Sequence, residues 1–256
     1  MLHRPPRFHA LIALALATLA AACGSDSSTA PNVQPVTLDQ ALGELSGPAL
    51  SATAASFDVA GPALPALVAS RCAYESSSQS FACTPLVANG LTVTQGFTLL
   101  DASGAKQAAF DKASTSAVRA NTTVAGTLQE GELQLAVDAE QELTLSGLRT
   151  ATHTLDGTSR VHVASISGTE LPFETTVTTT ITGLKLQAPT ADGTHPWPTA
   201  GTIVVETSNS IGGAPPAVIR ATITFSGSSK VTVAITGPGI ARSCTIDLAS
   251  QAPNCS

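Results

Sequence analysis

Five cysteines are the first candidates for chemistry in this chain. Four of them fall into two pairs with one spacing, C-x10-C: Cys72 with Cys83, and Cys244 with Cys255. The two segments share more than spacing. C-A-Y-E-S-S-S-Q-S-F-A-C and C-T-I-D-L-A-S-Q-A-P-N-C both read C-x-x-[E/D]-x-x-S-Q-x-x-x-C. A zinc site would want short C-x2–4-C pairs, usually with histidine, and neither pair has that form. Four cysteines allow three disulfide connectivities. The repeated spacing favours two local bridges. In the first segment a tight turn at Ser77-Ser78 would set Cys72 against Cys83, Ala73 against Ala82 and Tyr74 against Phe81, a hairpin closed by its own bridge. A loop of that size gains about 3 kcal/mol from closure. Export to an oxidising compartment, which the start of the chain predicts, makes disulfides the default state of such pairs.

The other candidates are weaker. Ser103-Gly104-Ala105-Lys106 matches S-x-x-K, the nucleophile pattern of serine acyl-enzymes, but that mechanism needs S-D-N and K-T-G partners and a helix to carry the serine. The chain has neither partner, and the segment reads as a hairpin turn. His153 and His162 flank Asp156-Gly157, a strong two-residue turn signal. Such a turn would place His153 opposite Arg160, with His162 as the diagonal neighbour roughly 7–8 Å away. The arginine between them opposes a cation, and no third ligand is at hand. Glu132, Asp138, Glu140 and Glu142 share one strand face, which reads as a solvated acidic stripe that discourages aggregation. His195 sits in a proline-rich stretch with no evident carboxylate or serine partner in sequence. No G-x-x-x-x-G-K-[S/T] phosphate loop occurs. The chain is therefore expected to be no enzyme, with no catalytic residues, no metal ligands and no cofactor.

The fifth cysteine belongs to the start of the chain. Met1 to His9 carries Arg4 and Arg7 and no acid; Ala10 to Leu19 is an apolar run; Ala20, Ala21 and Ala22 precede Cys23. A charged end, a short apolar core and small residues at a cleavage point make a secretory signal peptide. The run is shorter than the ~20 residues a spanning helix needs. Small residues ending in Cys23 and followed by Gly24-Ser25-Asp26-Ser27-Ser28 resemble the lipobox of bacterial lipoproteins. That resemblance implies that Cys23 is lipidated, becomes the mature N-terminus and anchors the protein in a membrane of the cell envelope. Gly24, where the family uses Asp for inner-membrane retention, implies the outer rather than the inner membrane. Ordinary cleavage after Ala22 would instead leave Cys23 a free thiol. The run W-P-T-A-G-T-I near Trp197, the Thr- and Val-rich strands and the terminal C-T-I-D-L also look like uncharacterised bacterial lipoproteins, a likeness that brings no chemistry with it.

The rest of the chain must position these residues. Removing residues 1–22 takes two of the 12 basic residues and leaves 10 against 18 acidic, a balance of −8. That is a poor nucleic-acid ligand, which would want basic patches. Residues 23–36 are rich in Ser, Pro and Asn without apolar periodicity and read as a flexible tether. Residues 37–256 read as one β-rich domain, with a helical segment over 37–70. Thr37 with Gln40 forms a capping-box signature. Leu38, Ala41, Leu42 and Leu45 recur at helical spacing. From Cys83 onward the pattern is β. Glu132 to Ser146 alternates most cleanly, with Leu133, Leu135, Val137, Leu143 and Leu145 on one face and acids and polar residues on the other. A hairpin over Arg149–Ile166 around Asp156-Gly157, a threonine ladder over Phe173–Leu186 and four final strands follow. About ten short strands separated by turns imply an antiparallel meander. It would form one curved sheet, an open barrel or a sandwich, with the N-terminal helices packed on its apolar face.

These readings give an address more than a reaction. They predict a cell-envelope lipoprotein with a structural or interaction role. The alternative is a carrier or binding module that holds a lipid or other apolar ligand in a half-barrel cavity. The expected partners are the membrane, through the N-terminal lipid, and an apolar ligand or an envelope protein.

Overall fold

Strict alternation of apolar and polar residues can bury only one face of an extended chain, so a long run of such segments must pair side by side. The computed structural model, which describes residues 72–167, 171–187, 197–247 and 252–255, has this form. Fourteen strands make one sheet. They are β1 Cys72–Glu75, β2 Ser80–Cys83, β3 Leu86–Ala88, β4 Leu91–Asp101, β5 Lys106–Gln107, β6 Thr115–Glu130 and β7 Leu133–Ser146. After these come β8 Thr152–Ser167, β9 Phe173–Gln187, β10 Ala200–Ile211, β11 Ala217–Thr224, β12 Lys230–Gly237, β13 Ile240–Asp247 and β14 Ala252–Cys255. The order is β1-β2-β4-β6-β7-β8-β9-β10-β11-β12-β13-β14, with β3 and β5 also on β4. Every pairing is antiparallel. The path runs from β1 to β14 without closing, so the sheet is open. No helix occurs among the described residues, and the helical segment expected over 37–70 lies outside them.

The alternation read in β7 holds over its whole length. Leu135, Val137, Leu143 and Leu145 are buried, whereas Asp138, Glu140 and Glu142 are exposed. Its register with β6 carries the same side forward: Val118 pairs with Leu145, Ala120 with Leu143 and Val124 with Ala139. One face of the sheet is thereby apolar across its width, and we call it the inner face. Its largest cluster extends from Leu143 and Leu145 on β7 to Cys244 and Ile246 on β13. Two smaller clusters lie on the β4 side, one around Phe81, Leu99 and Val118, the other around Leu91, Val124, Leu135, Val137 and Val163.

The strand count exceeds the sequence expectation because β1, β2, β3, β5 and β14 are two to four residues long. Three of them cover β4, whose open side would otherwise be a template for aggregation: β2 meets Phe97 and Gly96, β3 meets Val93 to Leu91, and β5 meets Leu99 and Leu100.

The hairpin expected around Asp156-Gly157 does not exist. β8 runs straight through both residues, from Thr152 to Ser167. The two residues serve a β-bulge instead. Leu155 pairs with Leu184 and Gly157 with Ile181, so Asp156 faces two residues on β9. Asp156 accepts a hydrogen bond from the Gly183 amide at 2.6 Å, and Gly183 adopts the left-handed φ of 57° that such a bulge requires. Gly157 is needed for a different reason. Its φ is 154°, and an added Cβ would lie 2.8 Å from the Leu143 Cα and closer still to the Glu142 carbonyl oxygen. Gly157→Ala is therefore expected to cost about 1–3 kcal/mol of stability through overpacking against β7. Urea unfolding beside Thr158→Ala, an exposed neighbour on the same strand, measures this. Equal midpoints for the two variants would refute the close-approach account.

Candidate functional site

The cysteine reading is the one that local geometry meets most directly. β1 and β2 pair Cys72 with Cys83, Ala73 with Ala82 and Tyr74 with Phe81, as the spacing predicts. A disulfide joins Cys72 and Cys83. Tyr74 packs on Phe81 with ring centroids 5.2 Å apart, and Phe81 stacks on Phe97 at 4.6 Å. At the far end of the sheet the register sets Cys244 opposite Cys255, and Cys244 is disulfide-bonded. Cys23 lies outside the described residues.

The S-x-x-K residues occupy a turn. The Ser103 hydroxyl donates to Asp101 Oδ1 at 2.6 Å, and the Ser103 and Ala105 amides donate to the same oxygen. These donors, led by the hydroxyl, hold the Asp101 carboxyl below its usual range. The Lys106 ammonium donates to the Ser78 carbonyl at 2.9 Å, tying this turn to the β1–β2 connection. Both side chains are thus occupied in folding the loop.

The histidines are not neighbours. With the turn gone, His153 and His162 sit nine residues apart on one strand, roughly 30 Å at ~3.4 Å per residue. His153 pairs with Leu186, and desolvation lowers its pKa from 6.5. His162 Nε2 lies 2.9 Å from Glu174 Oε1 on the outer face. The shift of His153 has a definite sign. The folded state resists protonation, so the unfolded state gains the proton first and stability falls as pH drops through about 6.5. His153→Gln is expected to flatten that part of the stability–pH curve. The check is the urea midpoint of both proteins between pH 7.5 and 5. A wild-type curve parallel to that of the variant would contradict it.

The acidic stripe is solvated and interleaved with cations. Arg119 Nε reaches Glu142 Oε1 at 3.5 Å. Glu140 is registered with Arg160, and Asp138 with His162. Arg220 lies 3.9 Å from Glu206 two strands further on. These exposed pairs contribute roughly 0–1 kcal/mol each. No group of three or more His, Cys, Asp or Glu among the described residues is placed to hold a metal.

What the sequence did not reveal is a row on the inner face. Following the register from strand to strand, Gln95 pairs with Thr122, Thr122 with Gln141, Gln141 with Ser159 and Ser159 with Thr179. Five consecutive strands of the path place a neutral hydrogen-bonding side chain at one level. On either side the levels are apolar, with Ala120, Leu143 and Ile181 on one and Val124, Ala139 and Val177 on the other. Thr122 is 6% exposed; the other four are half-buried. Only the register of all five strands together could have revealed the row.

No family model, curated protein or solved structure matches this chain. The fold defines its class: an all-antiparallel open meander with stapled short strands at its edge and one apolar face.

Proposed function

We propose that the chain is a lipid-anchored protein of the bacterial cell envelope that acts by interaction rather than by catalysis. The Cys72–Cys83 disulfide carries this reading, because a bridge of this kind belongs to an exported protein. Residues 1–22 are the export signal, Cys23 the lipidated N-terminus and residues 23–36 the tether, with Gly24 directing the protein to the outer membrane. Cys244 and Cys255 form the second local bridge, so that Cys23 alone remains for lipid. Several acyl chains at ~0.8 kcal/mol per buried CH₂ hold such a protein firmly. The test is fractionation of cells expressing the wild type and Cys23→Ala. The wild type is expected in the membrane and the variant in the soluble envelope fraction. A variant that stays as firmly membrane-bound as the wild type would sink the anchoring.

A second reading, a binding module for a neutral, largely apolar ligand, is favoured by a specific observation. From β4 to β9 the inner-face levels traced through the register carry Leu, Val, Ala, Phe, Ile, Gly, Gln, Thr and Ser and no charged residue. A face of that composition rejects ions and accepts hydrocarbon. Mass spectrometry of the purified protein under native conditions tests it. A stoichiometric lipid is the expected finding, and a ligand-free protein that also takes up no added lipid would refute it.

A further inference from the structure

We propose that one end of the sheet rests on the bilayer beside the lipid anchor, with Leu86, Val87, Ile166, Leu171, Ile211 and Val218 entering a zwitterionic lipid interface. This rests on the lipid-anchored reading and adds how the domain lies on its membrane.

Three observations converge. The first is the placement of apolar surface. Large hydrophobic side chains left singly in water are ordinary. These six are the exposed ones among the described residues, and the strand order gathers them at one end. The antiparallel registers bring the starts of β4, β7, β9 and β11 together with the ends of β6, β8 and β10. Leu86 and Val87 on β3 lie against the start of β4. Ile166 is near the end of β8, Leu171 just before β9, Ile211 at the end of β10 and Val218 near the start of β11. Neighbouring connections hold together here. The Gly212 amide donates to the Pro172 carbonyl at 2.7 Å, and Phe173 is registered with Ile211. Grouped exposure of this kind marks a protein or membrane contact.

The second observation is charge. All four lysines of the chain lie toward the opposite end: Lys106 on β5, Lys112 between β5 and β6, Lys185 near the end of β9 and Lys230 at the start of β12. Arg149, between β7 and β8, joins them. The described connections at the apolar end hold no lysine or arginine, and Glu130 and Glu132 stand there. Headgroups without net charge suit such an end, whereas anionic ones attract basic segments. The third is the route of the chain. β1 is antiparallel to β2, and β2 to β4, so β1 runs away from the apolar end. Cys72, through which the chain continues back to Cys23, is therefore the end of β1 nearer to it. A lipid on Cys23 makes the second contact intramolecular, so a contact too weak to hold by itself is occupied. That favours the membrane over a protein partner.

The test uses the full lipidated chain in phosphatidylcholine vesicles, with Val87→Trp, Ile211→Trp or Ser226→Trp. Val87 is 76% and Ile211 59% exposed; Ser226 is exposed at the lysine end. Flotation with the vesicles reports the anchor. Quenching by lipids brominated on their acyl chains reports contact, after subtraction of the parent's Trp197 signal. Interfacial apolar side chains reach ~5–10 Å into the headgroup and acyl boundary, so Val87→Trp and Ile211→Trp are expected to be quenched about threefold more than Ser226→Trp. The difference is expected to persist at ~1 M salt, where exposed charges are screened. Equal quenching at both ends of a protein that floats would overturn the contact, leave the anchor standing and give the patch to a protein partner. Quenching that needs phosphatidylglycerol and vanishes at ~1 M salt would assign the contact to the lysines and also overturn it. A protein that neither floats nor is quenched would overturn both readings. Hydrogen exchange of the wild type needs no substitution. Vesicles are expected to protect the amides of Leu86 to Gly90 and Ile211 to Ala214 but not those of Ala102 to Ala105, and equal protection of both sets would count against the contact.

Discussion

Leu184→Ala is expected to lower the unfolding free energy by about 2–5 kcal/mol, the range for emptying a fully buried leucine site. Leu184 has no exposed surface. It sits where β9 recovers its alternation after the Gly183 bulge, paired with Leu155. Its cluster runs from β7 to β13, so a void there weakens contacts on both halves of the sheet. Collapse around the void is restricted from two sides. The Asp156–Gly183 hydrogen bond fixes the bulge, and the Thr199 amide donates to the Lys185 carbonyl at 2.9 Å. Each kcal/mol shifts the melting temperature by about 2–4 °C in a domain of this size. Thermal melting monitored by circular dichroism checks the value, with the exposed Leu86→Ala as reference. A loss below about 1 kcal/mol would mean that this part of the inner face is loosely covered.

The second large effect concerns the edge. Cys72→Ala/Cys83→Ala is expected to cost about 2–4 kcal/mol, by releasing a hairpin that has little else to hold it. β1 and β2 have four residues each, and β2 touches β4 at only two registered positions. An isolated two-stranded hairpin is marginal in water. The bridge keeps Tyr74 and Phe81 stacked toward Phe97, and Phe81 is 4% exposed. Loss of the bridge therefore also uncovers the β4 side of the sheet. Hydrogen exchange at Phe81, Ala82, Gly96 and Phe97 reads this locally, and urea unfolding reads the total. Protection unchanged at these amides would show that the aromatic stack holds the edge by itself.

Legibility followed the range of the interaction. The β7 alternation, the β1–β2 register and the final strands were readable because each depends on residues close in sequence. Period two fixes a face, and C-x10-C fixes a hairpin. Asp156-Gly157 misled because one dipeptide serves two backbone tasks. A tight turn uses the glycine for positive φ, whereas here β8 uses it for close approach to Glu142 and uses the aspartate as a bulge acceptor. The expected His153–Arg160–His162 arrangement fell with the turn. The polar row was invisible for a deeper reason. Gln95 and Thr179 are 84 positions apart in the chain, and only the stacked registers of four strand pairs make them one feature.

The account stands or falls on export, anchoring and pairing of the cysteines together, and one measurement addresses all three. The intact mass of the protein purified from membranes is recorded after alkylation, before and after reduction. The predicted species begins at Cys23, carries lipid, has no alkylatable thiol before reduction and has four after it. A species that retains residues 1–22, or one with an unmodified Cys23 that alkylates without reduction, would contradict the account.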